Sequence, residues 1–285
     1  MEDKLYEPMP IAVINADDLM CYEIKYSNGF VKICGADKVG AHIHSFCEIY
    51  VNVSGNVSFM VENNVYPISS GDIIITRPNE VHHCVYHSEC RHEHYCVWIS
   101  MSGDFMQDMS SAFFDRKAGE GNLISMSDED KKKLFDHLKK IRNEDDGRAT
   151  KRDAESMSHF FGILGLIEKY KEKTLPAKEL PERMKNILTY IEKRFYDACT
   201  VEDIANEFFI SRSALVNMFK RYMNLSPSKY IEAKKFSYAK SMLEKGNSVQ
   251  EVCDACGFSD CSYFISVFKR RFGVTPYQYA KNVKK

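Results

Sequence analysis

The chain has 285 residues, of which 44% are hydrophobic and 28% are charged, and its formal net charge is −1. This length allows one or two domains of an ordinary globular protein. The sequence contains no run of about 18 apolar residues, which excludes a membrane-spanning helix of the usual length. The first residues, MEDKLYEPMP, lack a basic region followed by an apolar one, so we expect no secretory signal. We therefore expect a cytoplasmic protein whose ten cysteines are reduced thiols.

Charge is divided unevenly along the chain. Residues 178–285 contain 19 Lys and Arg against 12 Asp and Glu, whereas residues 1–177 contain 20 against 28. A basic C-terminal part beside an acidic N-terminal part is typical of a nucleic-acid reader whose other half has a different task. Chance variation in surface charge is the alternative, but the cations cluster on the C-terminal helices predicted below.

Residues from about 10 to 102 are rich in short apolar runs that predict β-strands. Val, Ile and aromatic residues dominate these runs, and turn-forming pairs such as Asn28-Gly29 and Ser70-Gly71 separate them. The predicted strands are Phe30–Cys34, Glu48–Val53, Val57–Glu62, Asp72–Thr76 and Tyr95–Ser100. Many short strands at close spacing are typical of a sandwich or a barrel.

A pair of histidines lies near the start of this region. His42 and His44 alternate along a predicted strand, so both imidazole rings face the same side, and Glu48 follows shortly after. The spacing H-x-H-x3-E-x6-G, which ends at Gly55, resembles the first motif of the cupin family of jelly-roll proteins. The resemblance implies a barrel over roughly residues 30–90.

A second part of this pattern contains His82. Gly71-Asp72, Pro78 and His82 resemble the second cupin motif, although the glycine expected between that proline and that histidine is missing. The ligand set of a metal-binding cupin would be His42, His44, Glu48 and His82. Such a set suits a divalent transition metal such as Zn, Fe, Mn or Ni. We favour the alternative, in which these residues line a polar ligand pocket or simply hydrogen-bond to one another.

Aromatic residues and further histidines surround this candidate pocket. Tyr50 or Trp98 could stack on a ligand, so the predicted effector pocket comprises His42, His44, Glu48, Tyr50, His82 and Trp98. The nearby histidines are His83, His87, His92 and His94. Strand alternation places neighbours such as His82 and His83 on opposite faces, so we do not expect all of these rings to converge.

From Met106 to Lys173 the apolar residues recur with helical spacing. We predict a short helix over Phe105–Arg116, a second over Ser127–Arg142 that begins with a capping box, and a third over Asp153–Lys171. The segment TLPAKELP over Thr174–Pro181 contains two prolines and is predicted to be a linker.

The last hundred residues contain one pattern twice. Thr200–Tyr230 reads TVEDIANEFFISRSALVNMFKRYMNLSPSKY, and Ser248–Tyr279 reads SVQEVCDACGFSDCSYFISVFKRRFGVTPYQY. Each copy predicts a capped helix, a turn and a second helix with an apolar stripe and a Phe-Lys pair. A helix from Pro227 to about Lys245 joins the copies. Two ordinary helical hairpins with a shared core pattern are the alternative, but the matches extend to turns, caps and cations.

The second copy gives the more detailed expectations. Gly257 suits its turn, Ser259 is expected to cap the helix, and Tyr263 is expected to join the buried stripe with Phe264 and Phe268. In the first copy, Phe209 stands where the second has Gly257. A bulky residue is poorly suited to the conformation that glycine adopts there, so we expect the first turn to be built differently.

This doubled pattern resembles the DNA-binding domain of the AraC family of bacterial transcription regulators. The resemblance covers about the last hundred residues and is most specific in the second copy, where GFSD, the Phe-Lys pair and G-V-T-P-x-x-Y all occur. A cupin-like barrel is the usual sensor domain of sugar-responsive members of this family. The family also commonly dimerises through helices placed like those at 103–173.

The resemblance implies which residues contact DNA. Residues at base-contacting positions of the family are Arg212, Ser213, Val216 and Asn217 in the first copy, and Cys261, Ser262, Ile265 and Ser266 in the second. Of these, Arg212 suits a guanine edge and Asn217 an adenine edge. The cations expected at phosphates are Lys220, Arg221, Lys269 and Arg270.

The sequence therefore predicts an α+β multidomain protein. Its expected parts are a cupin-like β-barrel or jelly roll over 1–102, a helical dimerisation segment over 103–173, a linker over 174–181, and an all-α domain of two helix-turn-helix units joined by a long helix over 182–285. We expect a non-enzymatic, homodimeric transcription regulator with no required cofactor. Its expected partners are double-stranded DNA, a small-molecule effector of which a carbohydrate is one candidate, and RNA polymerase. The alternative is a metal-binding cupin enzyme or metal sensor fused to a DNA-binding module.

Overall fold

The structure is a computed structural model, and it describes residues 20–31, 41–44, 46–101, 111–141, 148–149, 154–197, 199–223 and 225–283. These residues fall into two compact units: one contains residues 20–31 and 44–179, and the other contains residues 41–43 and 180–283. The first unit is rich in antiparallel strands and the second is helical, which confirms the predicted fold class. Within the described ranges, no helix combines the length and the apolar character that crossing a membrane requires.

Two antiparallel sheets build the N-terminal unit. The strands are β1 (Met20–Val31), β2 (Cys47–Ser54), β3 (Val57–Val61), β4 (Asn64–Pro67), β5 (Ile73–Thr76), β6 (His82–Tyr86), β7 (Cys90–Met101), β8 (Leu123–Ile124), β9 (Arg148–Ala149) and β10 (Thr174–Leu175). The larger sheet has the strand order β10-β8-β5-β2-β7-β1-β9, and the smaller has the order β4-β3-β6. Because successive side chains of a strand point to opposite faces, each sheet can contribute to a core on either side.

Alternation along β2 explains why this unit has two apolar cores. Ile49 belongs to a core shared with the helices, where Phe160 is also buried. Its neighbour Tyr50 belongs to a second core that includes Phe59 of the smaller sheet. Glu48 has the same parity as Tyr50 and is only 3% exposed. The space between the two sheets therefore contains a buried carboxylate among aromatic residues.

The helices of this unit pack on the larger sheet. They are α1 (Ser111–Phe114), α2 (Asp128–Ile141) and α3 (Ala154–Tyr170), and a 3-10 turn over Lys171–Lys173 follows. Ser127 caps α2, because its hydroxyl accepts a hydrogen bond from the Asp130 amide at 3.3 Å. Phe160 of α3 stacks on Tyr22 of β1 with ring centroids 4.4 Å apart. Of the helix predicted over Phe105–Arg116, residues 105–110 lie outside the described residues, and α1 forms a shorter part of the rest.

Two predicted irregular segments lie in strands instead. Asn28-Gly29 does not turn the chain, since both residues lie within β1 and pair with Glu93 and His92 of β7. The twelve-residue ladder between these strands outweighs the local turn preference. The predicted linker also begins inside the larger sheet, where Thr174 pairs with Ile124.

The C-terminal unit consists of short helices around one long helix. They are α4 (Glu182–Arg194), α5 (Val201–Glu207), α6 (Arg212–Met223), α7 (Pro227–Glu244), α8 (Val249–Ala255), α9 (Cys261–Phe272) and α10 (Pro276–Val283). Thr200 and Ser248 begin α5 and α8 with capping boxes, and Ser226 caps α7. Phe236 of α7 contacts Phe264 of α9 with ring centroids 6.1 Å apart, so the long helix passes through the core of the second copy.

The turns of the two copies share one backbone conformation, so the expectation of a differently built first turn is wrong. The angle φ is +50° at Phe209 and +63° at Gly257. In both copies the next residue donates its amide hydrogen back to the preceding helix, at 2.9 and 3.1 Å. The side chain of Phe209 is 93% exposed and makes little packing contact. The flanking helices therefore impose the left-handed conformation on Phe209, even though its Cβ disfavours that conformation.

The cap of α9 is also corrected. Asp260 caps this helix in place of Ser259, because its carboxylate accepts hydrogen bonds from the amides of Ser262 at 2.8 Å and Tyr263 at 3.2 Å. A charged acceptor makes the stronger hydrogen bond at a helix N-terminus. Tyr263 is 56% exposed, so the prediction that it joins the buried stripe with Phe264 is wrong.

Candidate DNA-reading surface and sensor pocket

The first recognition helix, α6, has a buried side and an exposed side. Leu215 and Phe219 are fully buried and fix the helix on the domain core. Ser211 precedes the helix and accepts a hydrogen bond from the Ala214 amide at 3.1 Å. Of the predicted base-contacting residues, Arg212, Ser213 and Asn217 are exposed and Val216 is half-buried. The polar residues therefore lie on the side of α6 that is available to a groove of DNA.

The second recognition helix, α9, is arranged in the same way. Phe264 and Phe268 are buried and anchor it on α7 and the rest of the core. Of the predicted contact residues, Ser262 and Ser266 are exposed, and Cys261 and Ile265 are half-buried. The exposed side chain of Tyr263 extends this surface with an aromatic ring and a hydroxyl group. Sequence reasoning missed Tyr263, because its spacing also fits the buried stripe.

The four cations predicted to contact phosphates all lie at the C-terminal ends of α6 and α9. Lys220, Arg221, Lys269 and Arg270 are exposed. Arg271, the next residue after Arg270, is half-buried instead and forms an ion pair with Glu232 at 3.2 Å. Exposed cations that flank a polar helix face suit a polyanionic backbone.

Arg212 forms an ion pair that the sequence pattern did not reveal. Its Nη1 atom donates to Oε1 of Glu202 at 2.7 Å. Glu202 lies on α5, ten residues earlier in the chain, so the two residues become neighbours only when the helix pair folds. Both side chains are more than half exposed. The candidate guanine reader is thus held by a carboxylate on the neighbouring helix.

The helix that joins the two copies sets the separation of the recognition helices. α7 has 18 residues, which gives a length of about 27 Å at 1.5 Å per residue. This is close to the ~34 Å between successive turns of a major groove on one side of B-DNA. A single unbroken helix therefore spaces the two copies on the scale of one DNA turn.

In the N-terminal unit, the predicted pocket residues meet at Glu48. The carboxylate oxygen Oε2 lies 2.7 Å from Nε2 of His44 and 3.5 Å from Nε2 of His82. The same oxygen accepts a hydrogen bond from the indole Nε1 of Trp98 at 2.8 Å. Side chains from β6, β7 and the segment before β2 thus meet at one carboxylate oxygen of Glu48, which lies on β2.

The second nitrogen of each imidazole is held by the backbone. Nδ1 of His44 donates to the carbonyl of Phe46 at 3.0 Å, and Nδ1 of His82 donates to the carbonyl of Glu80 at 2.8 Å. This fixes both rings with Nε2 directed at Glu48. Burial alone raises the pKa of Glu48, but the hydrogen bonds from His44 and His82 outweigh it and hold that pKa well below its usual value. Burial alone lowers the pKa of His82, and Glu48 reverses this, so the His82 pKa is raised.

A second group of polar residues lies beside Glu48. The hydroxyl of Tyr50 is 2.6 Å from Nε2 of His92, and the ring of Tyr50 stacks on His94 with centroids 5.1 Å apart. His92 and His94 also stack on each other at 4.5 Å. Burial lowers the pKa of His92 to about 4 and that of His94 to about 3, so both rings are neutral at pH 7.

His92 and His94 were not included in the predicted pocket. The sequence analysis noted only that neighbours such as His82 and His83 face opposite sides of a strand, so that the nearby histidines cannot all converge. The signal lay in β7, where His92, His94 and Trp98 share one parity. Trp98 was already a predicted pocket residue, so its alternate neighbours share its side of the strand. The predicted separation of His82 and His83 agrees with their successive positions in β6.

Of the predicted ligand set, His44, Glu48 and His82 lie in one compact unit, whereas His42 belongs to the unit that contains residues 180–283. In their neutral form, His44 and His82 would keep their Nδ1–H groups on the backbone carbonyls and offer their Nε2 lone pairs, in the way that metal-binding histidines do. The donor set therefore fits a divalent transition metal as well as it fits a shared proton.

Comparisons with known proteins agree with this arrangement. Residues 35–179 match the model of the AraC-like ligand binding domain, and residues 204–282 match that of a helix-turn-helix domain. The first match spans half of the chain. The two units defined by the coordinates thus correspond to two family models in the expected order.

Individual relatives match either about a third of the chain or most of it. The raffinose operon transcriptional regulatory protein RafR of Pediococcus pentosaceus is 31% identical over 103 residues, which cover 36% of this chain and 37% of RafR. The chain thus spans little more than a third of that relative. The Msm operon regulatory protein of Streptococcus mutans is 24% identical over 246 residues, or 83% of this chain and 84% of that protein.

Among solved structures, ToxT from Vibrio cholerae O395 is similar over 93% of this chain and 98% of its own, with 16% identity and a TM-score of 0.38. The family assignment depends instead on the two family models, which together cover most of the chain. The chain belongs to the AraC family of transcriptional regulators.

Proposed function

We propose that the chain is a sequence-specific DNA-binding transcription regulator controlled by a small-molecule effector that binds between the two sheets of the N-terminal unit. The observation that carries the DNA-binding part is the doubled construction of the C-terminal unit. α6 and α9 each bury an apolar side, expose a polar side and end in cations. A buried anchor, a polar reading face and flanking positive charge are what major-groove recognition requires.

The chemistry of the sensor pocket favours a neutral polar effector, for which a carbohydrate is the best candidate class. Tyr50, His92 and His94 offer flat rings together with neutral donors and acceptors. Trp98 adds an indole ring beside the charged Glu48. Sugar rings bind well where aromatic faces lie next to convergent polar groups.

We also propose that the protein acts as a homodimer that communicates with RNA polymerase, as the family resemblance implies. The apolar faces of α2 and α3 are buried in the core of their own unit. A dimer contact through these helices would therefore use their outer, more polar sides.

The DNA-binding proposal is tested by selection from a random double-stranded DNA library with the full chain. We expect enrichment of one sequence, and a binding constant that falls steeply with salt because cations replace counterions on the phosphates. Selection of no sequence would reject sequence-specific binding.

The effector proposal is tested by thermal shift with a panel of neutral mono- and oligosaccharides, because a ligand of the native state raises the apparent stability. Sugars that stabilise the chain are then added to operator-binding assays. We expect Glu48→Gln and His44→Ala to abolish the response while leaving DNA affinity without sugar unchanged. His87→Ala is the matched control, because His87 bonds to Ser58 on the opposite face of β3 from Phe59. If both pocket variants respond normally, the effector binds elsewhere.

A metal sensor is the second candidate, and one observation favours it. Both Nδ1–H groups are committed to carbonyls, so each Nε2 facing Glu48 needs either a proton or a metal ion between it and the carboxylate. A metal held by these residues would supply positive charge to a bound ligand. Metal analysis of tag-free protein and measurement of DNA binding after chelation distinguish a metal sensor from a sensor of a neutral polar effector. Stoichiometric metal with loss of the response on chelation favours the metal sensor, and turnover of a small molecule by loaded protein would favour a cupin enzyme.

A further inference from the structure

The ion pair between Glu202 and Arg212 is placed where it can influence how DNA is read. Arg212 is the first residue of the recognition helix α6, and Glu202 is the second residue of α5. Their Nη1 and Oε1 atoms are 2.7 Å apart. Their side chains are 69% and 56% exposed, so water and DNA can reach both.

This pair contributes little to folding. Exposed ion pairs gain modest Coulomb energy in high dielectric, and they lose side-chain entropy when they form. Leu215 and Phe219 already fix α6 on the core through their buried side chains. The position of α6 therefore does not depend on Glu202, and a substitution at Glu202 should leave the fold intact.

The pair does fix the guanidinium group of Arg212. An arginine side chain has many rotamers, and its planar fork reads guanine only in a narrow range of orientations. Contact with Glu202 occupies Nη1 and leaves other N–H donors of the fork for a base edge. Without this contact, Arg212 is free to turn to the nearest phosphate, which every DNA sequence offers.

The charge of Glu202 has a second effect. A carboxylate on the DNA-facing side repels phosphates, and this repulsion is the same for every sequence. Glu202 thus lowers affinity for DNA in general, and it favours the one arrangement in which Arg212 reads a base. Repulsive groups of this kind are a common route to specificity.

We propose that Glu202 is a specificity-determining residue that positions Arg212 for guanine and weakens non-specific binding. This inference rests on the proposed DNA-binding function. It predicts opposite changes in two quantities for Glu202→Gln. Affinity for unrelated DNA rises several-fold. The slope of log binding constant against log salt concentration steepens by an amount that corresponds to at most about one added phosphate contact. Discrimination at one G·C base pair falls about tenfold.

The test is selection from a random double-stranded DNA library, followed by salt titrations, with the full chain and four variants. The variants are Glu202→Gln, Arg212→Ala, the double variant and Glu207→Gln. Glu207 is the exposed last residue of α5, so its substitution removes the same charge from the same helix away from Arg212. Circular dichroism melts should show Tm within a few degrees for all four.

We expect Glu202→Gln and Arg212→Ala to lose preference at the same base pair, and we expect the double variant to match Arg212→Ala. Glu207→Gln should retain the preference. The inference is overturned if Glu202→Gln keeps the wild-type preference, if it loses preference at a position that Arg212→Ala leaves unchanged, or if Glu207→Gln has an equal effect. A wild-type chain that selects no sequence rejects the proposed function itself, which separates the two failures.

Discussion

Phe209 occupies a backbone conformation that costs free energy. A left-handed conformation costs an L-residue about 1–2 kcal/mol, and glycine escapes most of this cost. The exposed phenyl ring of Phe209 gains little from burial in return. We therefore expect Phe209→Gly to raise the free energy of unfolding by up to about 1 kcal/mol, measured by urea denaturation.

The second copy provides the matched control. Gly257 has nearly the same φ, so Gly257→Ala should lower the free energy of unfolding by about 1–2 kcal/mol. A destabilising Phe209→Gly would show that the ring of Phe209 makes contacts that offset its backbone strain, and a stabilising Gly257→Ala would contradict the cost assigned to this backbone conformation.

Lys240 is a buried cation in the core of the second copy. Its side chain is 1% exposed, and its ammonium group lies over the rings of Phe272 and Tyr279. Burial lowers its pKa to about 7, although Glu244 acts in the opposite direction. The unfolded chain holds this proton until pH ~10.4. Between about pH 7 and 10 the unfolded state therefore binds more protons, so stability rises with pH.

Lys240→Met should remove this dependence. The substitution keeps the length of the side chain and removes the buried charge, so we expect a gain of roughly 1–3 kcal/mol near pH 7. Denaturation at pH 7 and pH 9.5 checks the prediction. The gain should be smaller at pH 9.5, and an equal gain at both pH values would place the Lys240 pKa outside this window.

At the scale of elements, a buried ion pair joins the segment between β5 and β6 to the segment after α1. Both guanidinium nitrogens of Arg116 donate to the carboxylate of Glu80 at 2.7 Å, and both side chains are at least nine-tenths buried. The amides of Arg77 and Gly119 bond to the same carboxylate at 2.9 Å. Several hydrogen bonds thus converge on one buried charge.

Removing one partner of this pair should be costly. Arg116→Met leaves the Glu80 carboxylate buried without its cation, and we expect a loss of about 3–5 kcal/mol. Lys140→Met is the control, because its ion pair with Asp136 is exposed and should contribute little. Thermal and urea denaturation compare the two variants. A small loss for Arg116→Met would mean that water reaches Glu80 when the arginine is gone.

Elements whose start and stop signals are local were predictable from the sequence. Thr200 and Ser248 cap their helices through their own hydroxyl groups and the residue three positions later. The doubled pattern then showed that α5 and α6 of the first copy correspond to α8 and α9 of the second. The grouping of His44, Glu48 and His82 was predicted from the resemblance of their spacing to the two cupin motifs, which are short patterns that can be recognised along the chain.

The missed features depend on partners that are distant in the chain. Asn28-Gly29 forms a turn in isolation, but β7 pairs with it across more than sixty residues. Glu202 and Arg212 lie on different helices, and no periodicity relates them. Contacts between distant segments therefore determined these features, which local sequence preferences do not specify.

At the scale of the whole molecule, the C-terminal unit should protect two major-groove segments on one side of the DNA. We expect a footprint with two protected regions centred about 10 base pairs apart for each subunit. Asn217→Ala should relax preference in one region, and Ser266→Ala in the other, by at most about 1–3 kcal/mol. Hydroxyl-radical footprinting of the selected operator checks this. A single protected region, or both variants acting on the same region, would contradict the assignment of α6 and α9 to separate grooves.

With α6 and α9 as the proposed DNA-reading helices, the length and continuity of α7 would also make the protein a bivalent ligand. α6 and α9 each offer only a few base contacts, so either helix alone would bind its site weakly. Once one of them is bound, α7 holds the other beside its own site at a high effective concentration. Such linkage can strengthen binding by ~10²- to 10⁴-fold without any new contact. A DNA site that fits only one of the two helices does not gain this strengthening. Discrimination between a full site and a half site therefore depends on the continuous helix that joins α6 and α9 as much as on the residues that contact the bases.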